Sequence, residues 1–200
     1  MFLHLGITDR AQAQASDKVN YYLDVGIGIP ASLANFTQNW NATYGAGAGI
    51  SYEIRPSVKP QLYSQYHRFS FDEDGARVKV NVPQSITDID GAEAEIFTAM
   101  LNGIYEYELP RVSTLTYASV GAVFFRSIRR DFTVSTANDT FTFDQRSEST
   151  LGISGTVGLR HAINDNFAAY AEAKVVTSFF VDRRTQYFPI SIGIPFKFPL

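Results

Sequence analysis

The chain ends in "FPISIGIPFKFPL" (188–200), where a large apolar residue occupies every second position from Phe188 to Phe198. The positions between them, from Pro189 to Lys197, carry small, proline or charged residues. Alternation with a period of two predicts a β-strand with one apolar face and one small or polar face. Because chain ends fray unless other elements hold them, we expect this strand to be paired. The fold class depends on which of the two faces of this strand contacts water.

The composition narrows the class of protein. Charged residues make up 18% of the 200 positions, the net charge is −3, and no basic cluster indicates a nucleic-acid surface. Cysteine is absent, which excludes disulfides, thiolate nucleophiles and Cys-ligated metal sites. No apolar run reaches about 18 residues, so a transmembrane helix is excluded. A transmembrane barrel stays open, because its strands need only about 9–11 residues with one apolar face.

Alternating segments recur along the chain and predict eight strands. They lie at 20–30, 43–55, 61–71, 95–109, 113–130, 151–161, 167–181 and 188–198. Short connections such as "PSVKP" and "AINDN" alternate with long ones, above all the loops 72–92 and 131–149. This pattern predicts an all-β, up-and-down antiparallel barrel with both termini at the short-turn end. Residues 1–15, ending in "AQAQA", are interpreted as a signal-peptide remnant or disordered leader, and residues 16–200 as the barrel domain.

Two closed barrels fit eight strands: a soluble lipocalin-like barrel with an apolar interior, and a transmembrane barrel with an apolar exterior. The minority face favours the second, because its glycines and serines suit a crowded interior better than a solvated surface. The same face carries isolated ionisable residues, which we expect to pair in the lumen: Asp24, Glu53, Arg55, Glu106, Arg160, Glu172, Lys174 and Lys197. Aromatic residues near strand ends are typical of interfacial girdles: Tyr21, Tyr44, Tyr52, Tyr105, Tyr107, Phe167, Phe188, Phe196 and Phe198.

The closing stretch "SIGIPFKF" (191–198) resembles the C-terminal assembly signal of bacterial outer-membrane barrels, with Ser191 and Gly193 followed by Phe196 and Phe198. The chain therefore resembles the small eight-stranded outer-membrane proteins of the OmpA-barrel, OmpX and OmpW type. It departs from their pattern in Pro195 and in the trailing Pro199 and Leu200. The resemblance implies an outer-membrane location with periplasmic termini. It also implies insertion by the barrel-assembly machinery, with the last strand recognised first.

No motif indicates catalysis, and no cofactor or metal site is predicted. His67 and His161 lie on different strands without a local serine or carboxylate pattern. The sequence predicts a structural or surface-interaction role, with recognition through the loops 72–92 and 131–149. We expect the barrel to contact outer-membrane lipid. We also expect lipopolysaccharide phosphates to bind the arginines near the long-loop end: Arg126, Arg129, Arg130, Arg183 and Arg184. The alternatives are a narrow channel or apolar-solute transporter of the OmpW type, and a soluble ligand-binding barrel.

Overall fold

A computed structural model of the chain describes residues 18–30, 40–71, 86–109, 114–179 and 185–197. Eleven strands form within these ranges: β1 (Val19–Pro30), β2 (Thr43–Tyr52), β3 (Val58–Ser70), β4 (Ile86–Asp90), β5 (Glu93–Glu108), β6 (Thr114–Arg129), β7 (Phe132–Thr136), β8 (Thr140–Phe143), β9 (Arg146–Ala162), β10 (Ala168–Ser178) and β11 (Gln186–Phe196). Within the same ranges no helix is long and apolar enough to cross a membrane. The predicted leader, residues 1–15, lies outside the described residues.

Eight of these strands close into one antiparallel barrel in the order β1-β2-β3-β5-β6-β9-β10-β11, and β11 returns to β1. Each strand pairs with the next barrel strand along the chain, so the predicted up-and-down meander is confirmed. The closing seam runs through ten pairs, from Tyr21 opposite Phe196 to Pro30 opposite Tyr187. The connections between barrel strands are short at the end where β1 begins and β11 ends, and they are longer at the other end. These are called the short-turn end and the long-loop end below.

Side chains along the barrel strands alternate between an exposed outer face and a buried inner face. On β11, Ile190 is 45% exposed whereas the neighbouring Ser191 is 1% exposed. The outer face is apolar on every side of the barrel: Leu23, Val25, Leu62, Leu101, Val120, Leu151, Val157 and Ile192 are all more than half exposed. The predicted inversion is therefore confirmed, because the apolar residues face outward and the polar and small residues face inward. This facing is the opposite of that in a lipocalin-like barrel.

Two prolines in β11 lie on the inner face of the wall. Pro189 is opposite Gly28 and Pro195 is opposite Tyr22 in the ladder with β1. Proline has no N–H to donate, so both pairs must be of the non-hydrogen-bonded type, and the missing donors face β10. Accordingly, the β10–β11 ladder has no pair at Phe188 or Pro189. The seam with β1 is thus intact, which accounts for the proline that departs from the family's pattern.

Several glycines of the inner face lie directly beneath large aromatic side chains. A Cβ atom on Gly47 would lie 2.1 Å from the hydroxyl oxygen of Tyr63, and one on Gly158 would lie 2.4 Å from Cζ of Tyr117. Neither position has space for a side chain. The interior of an eight-stranded barrel is just wide enough to be filled by side chains, and here small residues on one strand make room for tyrosines from the next.

The loops predicted at 72–92 and 131–149 contain strands, which corrects the sequence-based interpretation of both. Strands β4, β7 and β8 form a three-stranded sheet in the order β4-β7-β8, here called the protruding sheet. The register of the barrel continues into it: Arg129 pairs with Arg146, and Phe132 pairs with Phe143 three residues further along. Strand β9 accordingly begins at Arg146, not at the predicted position 151. The protruding sheet is an extension of the β5-β6-β9 wall beyond the barrel.

Filling the space at Gly47 should destabilise the barrel. A Gly47→Val chain has to displace the Tyr63 ring, and overpacking of this kind costs about 1–3 kcal/mol. The matched control is Ala48→Val, since Ala48 is the next residue and lies on the outer face. Denaturant unfolding in detergent, followed by heat-modifiable gel mobility, should show a lower midpoint for the Gly47 variant alone. Equal midpoints for the two variants would contradict the packing described.

Candidate functional site

The interior nearest the short-turn end holds a buried ion-pair network centred on Glu106. Its carboxylate lies 2.6 Å from Nζ of Lys59 and 2.7 Å from Nη1 of Arg160. The three residues come from β5, β3 and β9, so the network connects strands on different sides of the barrel. Glu53 lies 3.5 Å from Lys59 at the half-exposed edge of the network. Burial of these charges is tolerable because each of them has an opposite partner.

Tyrosines separate this group from a second pair of charges. Nη2 of Arg160 donates to the hydroxyl of Tyr22 at 3.1 Å, and its guanidinium lies 5.6 Å from the ring centroids of both Tyr22 and Tyr117. The Tyr117 hydroxyl donates in turn to Glu172 at 2.9 Å. Glu172 also pairs with Lys174, its neighbour on the same face of β10. Cation–π contacts and hydroxyl donors therefore add to the ion pairs of Arg160 and Glu172, while Nε of Arg160 has no hydrogen-bond partner among the described residues.

The buried carboxylate of Asp24 is held by hydroxyl groups. Its Oδ2 accepts hydrogen bonds from the Tyr63 and Tyr170 hydroxyls, the latter at 2.7 Å. Nζ of Lys174 lies 4.3 Å from the centroid of the Tyr63 ring. Lys174 thus connects Asp24 and Glu172 through the intervening tyrosine. Within the described interior, the buried basic residues Lys59, Arg160 and Lys174 are balanced by three buried acids, Asp24, Glu106 and Glu172.

Towards the long-loop end the interior becomes apolar and aromatic. The side chains that fill it are Phe69, Ala94, Ile96, Met100, Val123, Phe125, Val176 and Tyr187. His67 lies among them, fully buried, with its ring 5.3 Å from that of Tyr187. Among the described residues, its ring nitrogens have no hydrogen-bond partner. No serine or carboxylate in the described part of the chain is placed to use His67 as a base, so this half of the interior is a packed core.

The predicted lumen residues fall into two groups. Asp24, Glu106, Arg160, Glu172 and Lys174 lie together in the interior, and Glu53 lies at its edge. Arg55 is exposed, because β2 ends at Tyr52 and places Arg55 in the turn that leads to β3. Lys197 follows the last residue of β11, is half-buried, and makes a backbone bond to Asn166.

Sequence reasoning missed Lys59 and the four tyrosines that join the charges. The sequence predicts a tight turn at Lys59, but β3 begins at Val58 and turns Lys59 inward. The alternation of the strand could have predicted its direction. Lys59 is two residues from Gln61 and four from Tyr63, so all three lie on the same face. The alternation in β3 is obscured because both of its faces carry large side chains.

The predicted assembly-signal residues take defined places at the end of β11. Ser191 is buried and accepts a hydrogen bond from Gln65 at 3.2 Å. Gly193 lies under Tyr170, where a Cβ atom would be 2.6 Å from the ring. Phe196 faces outward and stacks on Tyr21 at 5.7 Å between ring centroids. Phe198 lies outside the described residues.

The outer wall is divided into bands along its height. Exposed aromatic side chains form two girdles. The lower girdle, near the short-turn end, consists of Tyr52, Tyr105, Tyr107 and Phe167. The upper girdle, near the long-loop end, consists of Tyr44, Tyr66, Phe97, Phe124 and Phe188. On β5 the girdles are ten residues apart at Phe97 and Tyr107, which is about 33 Å along the strand and about 25 Å along the axis at a tilt of about 40°. That height matches the apolar band of a transmembrane barrel.

A belt of charged side chains lies beside and above the upper girdle, on the outer face of β3 and β5 and at the end of β6, where Arg126 is paired with Phe97. Arg68 makes a bidentate pair with Glu93, from Nη2 to Oε1 at 2.5 Å and from Nε to Oε2 at 3.0 Å, and Arg130 pairs with Glu95. Arg126 is exposed and donates to Ser147 at 3.4 Å, and none of the described carboxylates forms an ion pair with it. Arg129 alternates to the inner side, and Arg183 and Arg184 lie outside the described residues. We call Arg68, Glu93, Glu95, Arg126 and Arg130 the charged belt.

Comparisons with known proteins agree with this geometry. A family model described as "Outer membrane protein beta-barrel domain" matches residues 2–196. Among solved structures, a major outer membrane protein from Thermus thermophilus is 11% identical, with 90% of this chain and 99% of that chain covered and a TM-score of 0.55. Neisserial surface protein A is 12% identical, with 90% and 97% covered and a TM-score of 0.54. No curated protein sequence matches the chain significantly.

The N-terminal β-barrel domain of OprF from Pseudomonas aeruginosa is also similar. It is 15% identical, with 90% of this chain and 98% of that chain covered and a TM-score of 0.50. At these identities the structural likeness concerns the fold alone. The similarity to outer-membrane barrels is independent of the facing and girdles described above, and both lead to the same class of protein.

Removal of the central charge should unfold the barrel more readily than removal of a surface charge. Glu106→Gln leaves Lys59 and Arg160 buried without their shared carboxylate, and breaking a buried pair costs about 3–5 kcal/mol. Glu108→Gln, two residues along the same strand and exposed, should change stability by less than about 0.5 kcal/mol. The unfolding free energies of the two variants in detergent are the measurement. Similar losses in both would contradict a stabilising role for the network.

Proposed function

The chain belongs to the outer membrane protein beta-barrel domain family, and from that premise we propose that it is a structural and surface-interaction protein of the bacterial outer membrane, without catalysis. The observation that carries this proposal is the division of the wall. An apolar outer band between two aromatic girdles encloses an interior filled with paired charges and packed rings. A bilayer is the solvent that such an exterior fits.

The filled interior favours a structural role over conduction. Ion pairs and tyrosines occupy the half nearest the short turns, and a rigid aromatic core occupies the other half. An eight-stranded barrel whose interior is filled by side chains has no room for a continuous water path. The alternative of a narrow channel would need the Glu106 network and the His67 core to move together. The network instead supports a barrel that resists deformation, which suits envelope integrity.

The proposed orientation has the termini and short turns in the periplasm and the protruding sheet outside the cell. It rests on the length of the connections, because outer-membrane barrels have short periplasmic turns and longer extracellular loops. We also propose insertion by the barrel-assembly machinery, which the family assignment supports. Ser191, Gly193, Phe196 and Phe198 would form its recognition signal.

Lipopolysaccharide is the proposed lipid partner at the charged belt. In this orientation the belt lies beside and above the upper girdle, at the level where the lipid phosphates are found. Arginine is suited to phosphate because its planar fork presents several donors at once. Arg126 supports the proposal most directly, since it is exposed and its one described side-chain bond is to a serine.

The membrane location is tested by extraction and by labelling. The expressed protein should need detergent for solubility and show heat-modifiable gel mobility. The chain has no cysteine, so Ile190→Cys and Ser191→Cys each give a single labelling site. In lipid vesicles, a bilayer-soluble quencher should reach a label at 190 and not at 191. A folded monomer that remains in buffer without detergent would refute the membrane assignment.

The orientation is tested by a second pair of single cysteines. Asn138→Cys lies in the exposed turn between β7 and β8, and Asp165→Cys lies in the exposed short turn between β9 and β10. A membrane-impermeant maleimide added to intact cells should label position 138 only. Lysed cells should give equal labelling at both positions, which is the control for reactivity. Labelling of position 165 alone in intact cells would reverse the proposed orientation.

A further inference from the structure

The protruding sheet has one apolar face, and that face continues the outer face of the barrel. Because the register from β6 into β7 is unbroken, residues of even number stay on the outer side from Phe124 through Arg126 and Arg130 to Phe132 and Val134. Their partners on β8, Phe143 and Phe141, share that side. We call Phe132, Val134, Phe141 and Phe143 the protruding patch.

The rings of this patch are open to their surroundings. Phe141 is 52% exposed and Phe143 is 48% exposed, both in the four-residue strand β8. Phe132 and Phe143 stack at 4.7 Å between centroids, with an interplanar angle of 10°. The stack fixes the orientation of both rings. Contiguous exposed apolar surface outside a membrane band marks a contact site more often than it marks a defect.

The patch lies too far from the upper girdle to be covered by the hydrocarbon. Phe132 follows Phe124 by eight residues along the same hairpin, which is about 26 Å along the strand and about 20 Å along the axis at a tilt of about 40°. The charged belt lies between the two, so the order on the outer face is aromatic, charged, aromatic. Acyl chains reach the first of these levels, and the last lies above the level of the phosphates.

The direction of the patch decides between occupants. It faces sideways, in line with the lipid-facing wall, whereas the tip of the hairpin at Ala137 and Asn138 points away from the barrel. The inner side of the sheet is polar, with Thr133, Ser135, Thr140 and Thr142. The molecules that lie beside the barrel at this height are the lipids of the outer leaflet. A lipid whose phosphates bind at the belt places its head group beside the patch. Sugar rings present C–H faces, which pack on the electron-rich faces of aromatic rings.

We propose that the protruding patch and the charged belt together form a binding site for a phosphorylated glycolipid of the outer leaflet. The phosphates bind at the belt beside Arg126, and the sugar rings pack on Phe141 and Phe143. This inference rests on the proposed outer-membrane function and orientation. It adds a second contact surface, and it assigns the sheet to a lipid in the protein's own membrane.

The test compares two lipids that differ in sugar content. Rough-type lipopolysaccharide, which retains core sugars, and lipid A, which lacks them, are titrated into the folded barrel in detergent, and occupancy is read by native mass spectrometry. The wild-type chain should bind the first about tenfold more tightly, a difference of about 1.4 kcal/mol. Phe141→Ser with Phe143→Ser should reduce that preference to within about twofold. Arg126→Gln should weaken the binding of both lipids.

Ile163→Ser is the matched control, since Ile163 is 63% exposed in a turn at the opposite end of the barrel. It should keep the wild-type preference. Heat-modifiable mobility confirms that each variant is folded, and the single Phe141→Ser chain serves if the double variant does not fold. A wild-type chain without preference overturns the inference, and so does an unchanged preference in the Phe variants, which would assign the patch to a protein partner. Failure of the proposed outer-membrane function is a separate result, because the folded protein would then be soluble without detergent.

Discussion

The structure depends on one constraint: within a bilayer, every backbone N–H and C=O of the wall must find its partner inside the wall. A sheet meets that demand only by closing, and here the closure is the ladder between β1 and β11. The two prolines of β11 show how the closing ladder is kept although two donors are missing. Their missing donors face β10, so the ten pairs of the closing seam remain. The prolines, which the sequence suggests would interrupt pairing, affect only the side of β11 that faces β10, where the ladder is interrupted.

Closure also limits the volume inside, and that volume explains the composition of the inner face. Eight strands leave room for side chains and little else. The chain divides the space by placing glycine on one strand under tyrosine from the next, as at Gly47 and Tyr63. Tyrosine suits the remaining space because it combines a ring that packs with a hydroxyl that donates to a buried carboxylate. The charges are tolerated for the same reason, since the tyrosines supply the bonds that ion pairs alone leave unfilled.

Much of this could be predicted from the sequence, because the two faces of a strand differ in every second residue. The eight barrel strands and five interior charges follow from that alternation, the facing follows from the small and charged residues of one face, and the meander follows from the lengths of the connections. The partners do not, since pairing across a lumen depends on the stagger between strands that are far apart in sequence. Glu106 meets Lys59 and Arg160 from two different strands, and alternation within one strand carries no information on that stagger. Arg55 shows the complementary error, because the exact end of β2 decides whether it faces the interior.

The protruding sheet was missed for a related reason. The segment "DFTVSTANDTFTF" (131–143) is short, polar at its centre and rich in turn residues, so it is typical of a loop. It forms strands because β6 and β9 already hold its two ends in register, and a hairpin grows readily from a pair that is fixed below it. The barrel wall therefore serves as the template for its own extension. Because that extension keeps the facing of the wall, the phenylalanines of β7 and β8 point toward the molecules that lie beside the barrel. The outer surface of the sheet must therefore be complementary to the membrane surface around it.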